Sequence, residues 1–443
     1  MEPFAFVLLA TSSLAVLCIG LLVRRSGYMQ LPTLIGAVFT LWVVPQLWQI
    51  RQWVGAYEIG ALLTLYAFCL LSLVAVLLGW RAGLQMGRGG AMPANLLSGR
   101  EVERITVVIT IVAAAMALAI GATDVDERMA HQWSGPLTIL YFFGNLKVIS
   151  LFLSISLFLK KKTHLTTALL AVNIGLYFPI IFIHFRRRGM LEAFTCAVLA
   201  LWFVRRTLVP RFAIMCGLPL GMILVFAVGA LRAAARQDEA GNVTLPSLSD
   251  ILAIDFWSYT PFATRATTPE LYNAFTLVRL ANELGEHTLG AISWNRFVFQ
   301  WVPAQIVGAD VKNALMFPID PAERILAAFD IPWRIGTMPT GMGEAYLEFG
   351  FLGALVFFAI ALIMGRWWAR AQRGGVGAAT FYAAGLAPAV LTPAFYASYF
   401  FNMIVLYVGA LVLIAAAVRT GRRAEPGRRQ FILPRAPRGP DRS

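Results

Sequence analysis

The sequence predicts an all-α polytopic membrane protein with about eleven transmembrane helices and one large, mostly helical external segment. Of its 443 residues, 59% are hydrophobic and only 14% are charged, whereas soluble domains have about 25% charged residues. A helix that crosses a bilayer needs about 20 apolar residues, and runs of that length recur along the chain. Short clusters of basic residues separate these runs, which is typical of the loops of membrane proteins.

The apolar runs fall into two groups on either side of a hydrophilic segment. The first group occupies residues 1–231, the large external segment residues 232–345, and the second group residues 346–418. Residues 419–443, rich in Arg, Pro and Gly, predict a disordered basic tail. The predicted spans are 4–23, 31–49, 57–80, 105–122, 136–159, 165–185, 190–204, 212–231, 346–365, 376–396 and 400–418.

Clusters of Lys and Arg predict the orientation, because positively charged loops stay in the cytoplasm. The marking clusters are Lys160-Lys161-Lys162, Arg205-Arg206, and the series Arg366, Arg370 and Arg373. Alternation from them puts the N-terminus outside and the C-terminus inside. The large segment then lies outside, and it holds 12 acidic and 8 basic residues against 11 and 29 elsewhere.

The net charge of +14 does not predict nucleic-acid binding, because the basic residues follow the loops between spans. All four cysteines fall inside apolar runs, so the sequence predicts neither a disulfide framework nor a thiolate metal site. No cofactor is expected.

Three adjacent arginines, Arg186, Arg187 and Arg188, break the orientation rule, since the predicted topology puts them on the external face. They either snorkel to lipid headgroups or bind a phosphorylated lipid head, which arginine can grip with two parallel hydrogen bonds. Lys147, inside the fifth predicted span, is a functional candidate by its position. It either snorkels, pairs internally or adds a cation to the same phosphate site.

The stretch Met338 to Gly350 leads from the external segment into the ninth predicted span. Glu344 lies at the mouth of that span and Glu348 one turn further, so both carboxylates share one face of a helix. Glu344 either caps the helix N-terminus or acts as a base. Capping accounts less well for the deeper Glu348.

Three stretches together resemble bacterial polysaccharide polymerases of the Wzy type, which join oligosaccharide repeat units such as those of O-antigen. They are Arg186-Arg187-Arg188-Gly189, the series from Tyr272-Asn273 through Trp294-Asn295-Arg296 to Pro303, and Pro339 to Gly350. The family also has a motif of Arg, ten residues and Gly in its external loops. Arg279 and Gly290 match it here, and a second copy is absent from the loop sequence. The resemblance covers about residues 140–370.

The resemblance implies a metal-independent, inverting glycosyltransferase with a GT-C-like architecture in the bacterial inner membrane, working at the periplasmic face. The implied donor is a growing glycan on undecaprenyl pyrophosphate, and the acceptor is a second lipid-linked repeat unit. A flippase and a chain-length regulator are the implied partners. The product would be O-antigen, capsule or exopolysaccharide.

The same resemblance assigns roles to the unusual charges. Arg186, Arg187, Arg188 and Lys147 would hold the pyrophosphate and stabilise it as the leaving group, since positioned cations can replace a metal. Glu344 would take the proton of the acceptor hydroxyl. The additional candidates are Arg265 and Arg279 for substrate binding, and His287, Tyr346 and Glu348 around the site.

Two other functions fit parts of the sequence. An O-antigen ligase, which moves a finished glycan to the lipid A core, also has a large external loop and a catalytic His, for which His287 is the candidate. A lipid-linked glycan flippase would share the many helices and the intramembrane charge. The absence of internal repeats, and charges that crowd the external face instead of the midplane, argue against the flippase.

Overall fold

The computed structural model describes residues 2–23, 26–89, 99–122, 136–183, 186–210, 270–302, 304–333 and 338–420, with short pieces between 211 and 269. These residues are almost entirely helical. Apart from turns and short irregular segments, the exception is a pair of two-residue antiparallel strands, β1 (Arg236–Gln237) and β2 (Val243–Thr244).

The helices lie on both sides of residues 211–269. Those before are α1 (Glu2–Leu22), α2 (Leu31–Val38), α3 (Val44–Trp53), α4 (Ile59–Gly89), α5 (Gly99–Ala122), α6 (Pro136–Gly144), α7 (Lys147–Lys160), α8 (His164–Phe178) and α9 (Arg187–Ala200). Those after are α10 (Tyr272–Leu284), α11 (Ala291–Trp301), α12 (Ala304–Val307), α13 (Ala309–Ala314), α14 (Pro321–Phe329), α15 (Gly341–Phe349), α16 (Ala354–Gln372), α17 (Val376–Leu391) and α18 (Tyr399–Thr420). Short π-helical segments follow α2, α8 and α9, and a 3-10 turn, Gly350–Gly353, joins α15 to α16.

Seven helical segments of the described residues are long and apolar enough to cross a membrane. They are Glu2–Leu22, Leu31–Trp53, Ile59–Gly89, Glu101–Ala122, His164–Ile183, Gly341–Gln372 and Tyr399–Ala416. The chain is therefore an α-helical membrane protein, as predicted.

Each of these seven segments overlaps one predicted span. The predicted span 376–396 corresponds to the shorter apolar helix α17, and the spans 136–159 and 190–204 carry the shorter helices α6, α7 and α9. The predicted span 212–231 and the tail after residue 420 lie almost wholly outside the described residues. The total of eleven spans stays a prediction.

The helices pack as two compact units, each assembled from segments far apart in sequence. Unit 1 consists of Met1–Leu84, Thr260–Gly365 and Pro388–Met403. Unit 2 consists of Gln85–Tyr259, Arg366–Ala387 and Ile404–Ser443. Helices from before and after the large hydrophilic segment thus contribute to both units.

Helix α15 forms the centre of unit 1, since every residue from Gly341 to Glu348 is buried. Its glycines make this possible, because they let neighbouring backbones approach closely. A Cβ at Gly343 would lie 2.5 Å from the Cα of Ala274 on α10, and one at Gly341 would overlap the Thr392 carbonyl.

Both ends of α15 are capped. The Thr340 hydroxyl accepts a hydrogen bond from the Gly343 N–H (3.2 Å), and Gly350 ends the helix with a positive φ of 56°. The glycine-rich stretch that resembles the polymerase family is therefore a short helix, capped at both ends, that leads into α16.

Unit 2 contains a buried polar cluster between α5, α7 and α8. The hydroxyl oxygens of Thr110 and Ser150 lie 2.6 Å apart, and Asn173 Nδ2 donates a hydrogen bond to the Thr110 hydroxyl at 3.4 Å. Hydrogen bonds of this kind join helices in an apolar environment, where the hydrophobic effect gives little help.

We expect Gly343→Ala to destabilise the protein by about 1–3 kcal/mol, because the added methyl group overpacks the contact with Ala274. Gly409→Ala on α18 is the matched control, since its Cβ meets nothing within 4 Å. Equilibrium unfolding in mixed detergent micelles measures both. Equal effects of the two substitutions would contradict the close packing of α10 on α15.

Candidate functional site

The Glu344 carboxylate is buried in unit 1, with 1% of the residue exposed. Its Oε2 accepts a hydrogen bond from Arg296 Nη1 of α11 at 2.6 Å and another from the Ala397 backbone N–H at 2.8 Å. The Arg296 guanidinium also lies over the Tyr396 ring, 4.4 Å from its centroid. A buried charge needs such a partner, because its desolvation is otherwise uncompensated.

The two oxygens of Glu344 have different surroundings. Both hydrogen bonds from the described residues end on Oε2, and none of these residues donates to Oε1. A carboxylate fixed through one oxygen can accept a hydrogen bond, and then a proton, at the other. The geometry therefore suits a positioned base.

Glu348 fastens α11 to α15. Its Oε1 accepts from the Ser293 N–H (2.6 Å) and its Oε2 from the Ser293 hydroxyl (2.7 Å), and the residue has no exposed surface. Ser293 lies in the first turn of α11, where backbone N–H groups lack partners and negative charge is favoured. Because both oxygens are engaged, Glu348 positions the helix that carries Arg296.

Tyr346 and His287 lie on another side of α15. The Tyr346 hydroxyl donates to Asn282 Oδ1 (2.9 Å), and its ring packs edge-on against Phe68 and His287. His287 is exposed, and its Nδ1 is 3.3 Å from the Leu347 carbonyl oxygen.

Arg279 on α10 forms two ion pairs, with Glu58 (2.5 Å) and Glu283 (2.7 Å), and its guanidinium lies 4.1 Å from the Phe329 ring centroid. Burial, reinforced by the Glu58 carboxylate, raises the pKa of the nearby Tyr272 hydroxyl. A substrate phosphate would have to compete with two carboxylates for Arg279. Its predicted role in substrate binding stays a prediction.

In unit 2, Lys147 begins α7 directly after a break in the helix. The fifth span was predicted to be continuous, but α6 ends at Gly144 and a turn at Asn145-Leu146 separates it from α7. The Asn145 side-chain amide donates to the Tyr141 carbonyl (3.0 Å), which satisfies one of the last carbonyls of α6. Lys147 thus lies at a helix start instead of in a helix interior.

A buried carboxylate braces the third arginine of the triplet. Arg188 Nε donates to Glu192 Oε1 (2.6 Å) and Arg188 Nη2 to Asn145 Oδ1 (2.8 Å). Glu192 is 1% exposed, and its Oε2 accepts from the Tyr177 hydroxyl (3.1 Å). The Lys147 ammonium lies 5.7 Å from the Tyr177 ring centroid. The Glu192 carboxylate attracts it, and the Arg188 guanidinium repels it.

Arg186 and Arg187 are exposed at the start of α9. Arg186 is the N-cap residue, and its side chain makes no capping hydrogen bond. A helix N-terminus favours anions, so an anion bound there would meet both the helix end and these positive side chains. The charges of Arg186 and Arg188 act on Lys147, so unit 2 brings these three cations close to a helix start that suits a phosphate.

Sequence reasoning missed the partners of these charges. Glu192 follows Arg188 by four residues, and that spacing on a helix could have indicated the pair. The contact of Arg296 with Glu344 spans 48 residues and has no local signal. Arg265 lies outside the described residues.

Comparisons with protein-family models, with curated proteins and with solved structures find no match. The resemblance to Wzy-type polymerases therefore rests on the three stretches of sequence that carry it. Among the described residues, no group of three or more His, Cys, Asp or Glu side chains could hold a metal ion. Metal independence stays a prediction.

We expect Glu348→Ala to lower the free energy of unfolding by about 1–3 kcal/mol, because it removes both acceptors of Ser293. Ser293→Ala removes only the hydroxyl and should cost less. A double-mutant cycle in mixed micelles should give a coupling energy of about 0.5 kcal/mol or more. Strictly additive effects would contradict the assigned contact.

Proposed function

We propose that the chain is an inverting, metal-independent glycosyltransferase of the bacterial inner membrane. It polymerises undecaprenyl-pyrophosphate-linked repeat units into a surface polysaccharide at the periplasmic face. The observation that carries the proposal is the buried Glu344 carboxylate, whose Oε2 is fixed by Arg296 and Ala397 while no described residue donates to Oε1.

In the proposed reaction, Glu344 acts as the general base. The acceptor hydroxyl donates to Oε1, and its proton passes to this oxygen as the hydroxyl oxygen attacks the anomeric carbon of the donor. The bond between that carbon and the pyrophosphate oxygen breaks, and the electron pair leaves with undecaprenyl pyrophosphate. Attack opposite the leaving group inverts the anomeric configuration.

The family resemblance assigns the departing pyrophosphate to the arginine triplet and Lys147, and this part of the proposal rests on that resemblance. Arg186 and Arg187 are exposed at the N-terminus of α9, and Lys147 adds a fourth cation to the three arginines. Fixed cations stabilise charge as it develops on a leaving group, which is the work that a metal does in other enzymes. Glu192 and Asn145 hold Arg188 in a defined orientation, so little reorganisation is needed when the donor binds.

An O-antigen ligase is the second candidate. The observation that favours it is the exposed His287 beside α15, close to Tyr346. His287 contacts α15 at Tyr346 and Leu347, in the C-terminal half of the helix. A ligase would depend on the His287 imidazole for catalysis.

The polymerase proposal predicts the surface glycan of a strain that lacks the gene. We expect the size ladder to collapse to a single-repeat band and to return with the wild-type gene. Glu344→Gln should reduce polymer synthesis about 100-fold or more, because a general base commonly contributes that much. Arg187→Ala should also fail to restore the ladder, because it weakens phosphate binding.

Glu323→Gln and Lys161→Ala are the matched controls, since both residues are exposed and belong neither to the contacts of Glu344 nor to the arginine triplet with Lys147. Long chains that are made but not attached to lipid A, together with failure of His287→Ala, would identify a ligase. Full-length attached glycan in the deletion strain would refute a glycosyltransferase of either kind.

Metal independence gives a separate prediction. We expect purified protein in lipid to polymerise a lipid-linked repeat unit at the same rate with and without a chelator, because cationic side chains stabilise the leaving group. Loss of activity in the chelator, restored by one added divalent cation, would rule out this part of the proposal.

A further inference from the structure

A second group of arginines lies in unit 2, where α16 ends. Arg366, Arg370 and Arg373 are spaced by four and three residues, so they lie on one side of this helix end. No carboxylate of the described residues lies within ion-pair distance of any of them. The side-chain charges that act on Arg370 are those of Arg366 and Arg373, which repel it.

The same helix end buries donors that have no acceptor. Arg370 Nε, Gln372 Nε2 and Arg373 Nε are buried nitrogen atoms without a hydrogen-bond partner among the described residues. Unsatisfied buried donors are rare and costly, and three of them lie within four residues at this helix end.

Neighbouring groups hold these side chains in place. Arg206 donates to Gln372 Oε1 (3.0 Å) and to the Gln372 carbonyl (3.2 Å), which fixes the amide so that its nitrogen is the unused end. The terminal nitrogens of Arg373 donate to the carbonyls of Gly87 and Arg88. The donors are therefore arranged in advance for a ligand.

The helix C-terminus does not supply the acceptor. Its partial negative charge favours arginines there. However, the Arg370 carbonyl already accepts from the N–H groups of Arg373 (3.1 Å) and Gly375 (3.2 Å). An external anion with several oxygens could neutralise the charge of these arginines and accept hydrogen bonds from the buried N–H groups.

We propose that Arg370, Gln372 and Arg373, supported by Arg206 and Arg366, form a binding site for a phosphate group. Arginine suits phosphate, because its planar fork matches two phosphate oxygens and keeps its charge. The site lies where the candidate span Gly341–Gln372 ends, at the depth expected for lipid headgroups. An acidic phospholipid such as phosphatidylglycerol is therefore the source to test first, and free phosphate is the other.

The test uses the full-length chain purified in a neutral detergent. Phosphatidylglycerol, phosphatidylcholine and inorganic phosphate are the probes, and the readouts are the thermal midpoint and retention of lipid in native mass spectrometry. We expect phosphatidylglycerol to raise the midpoint of the wild type by binding the folded state. Arg370→Gln and Arg373→Gln should weaken this binding about tenfold or more, whereas the exposed Arg104→Gln should not.

Gln372→Glu separates loss of the ligand from loss of the fold. Its carboxylate would satisfy the neighbouring arginines from within, so the protein should stay folded without lipid and lose its response to phosphatidylglycerol. A response to phosphatidylglycerol alone identifies a lipid site, and an equal response to inorganic phosphate identifies a site for the free anion.

Two results would overturn the proposal. One is a wild type that responds to neither phosphatidylglycerol nor inorganic phosphate. The other is a response that survives unchanged in Arg370→Gln, Arg373→Gln and Gln372→Glu.

Discussion

The Glu344 carboxylate is buried in α15, whose residues 341–348 are all buried, and its ion pair with Arg296 is the contact on which the site depends. A carboxylate in such surroundings is tolerated only with a partner that compensates its desolvation. The same helix presents Glu348 one turn later, and Glu348 binds the first turn of α11, the helix that carries Arg296. The two carboxylates therefore fix α11 at two points, and the glycines of α15 let the surrounding backbones come close enough for both contacts.

Three buried carboxylates differ in how many of their oxygens accept hydrogen bonds, and this difference indicates different roles. Glu348 and Glu192 each accept through both oxygens, from Ser293 in one case and from Arg188 and Tyr177 in the other. Carboxylates bonded in this way hold neighbouring side chains in place. Glu344 differs because the described residues bond to one of its oxygens only. A proton acceptor needs an oxygen that neighbouring residues do not occupy, so among these three Glu344 is the one suited to act as a base.

The sequence was sufficient for features that depend on local pattern. Hydropathy over about 20 residues predicted seven segments that the structure also has, and the spacing of Glu344 and Glu348 predicted two carboxylates on one face of a helix. Contacts between distant residues were not predictable, because the pairs Arg296–Glu344 and Arg279–Glu58 exist only through tertiary packing. The break before Lys147 was also missed, since hydropathy averages over a window and does not register that Asn145 supports the turn with its own hydrogen bonds.

The two arginine groups of unit 2 have the same charge and different surroundings. In the triplet, Glu192 and Asn145 already form hydrogen bonds with Arg188, so an anion should bind there less strongly and leave more easily. At the end of α16 no described carboxylate compensates Arg370 or Arg373, and an anion would be held more firmly. In the proposed reaction the first behaviour suits a leaving group that must depart in every cycle, because residence time follows the strength of binding. The second suits a lipid that stays with the protein as part of its structure.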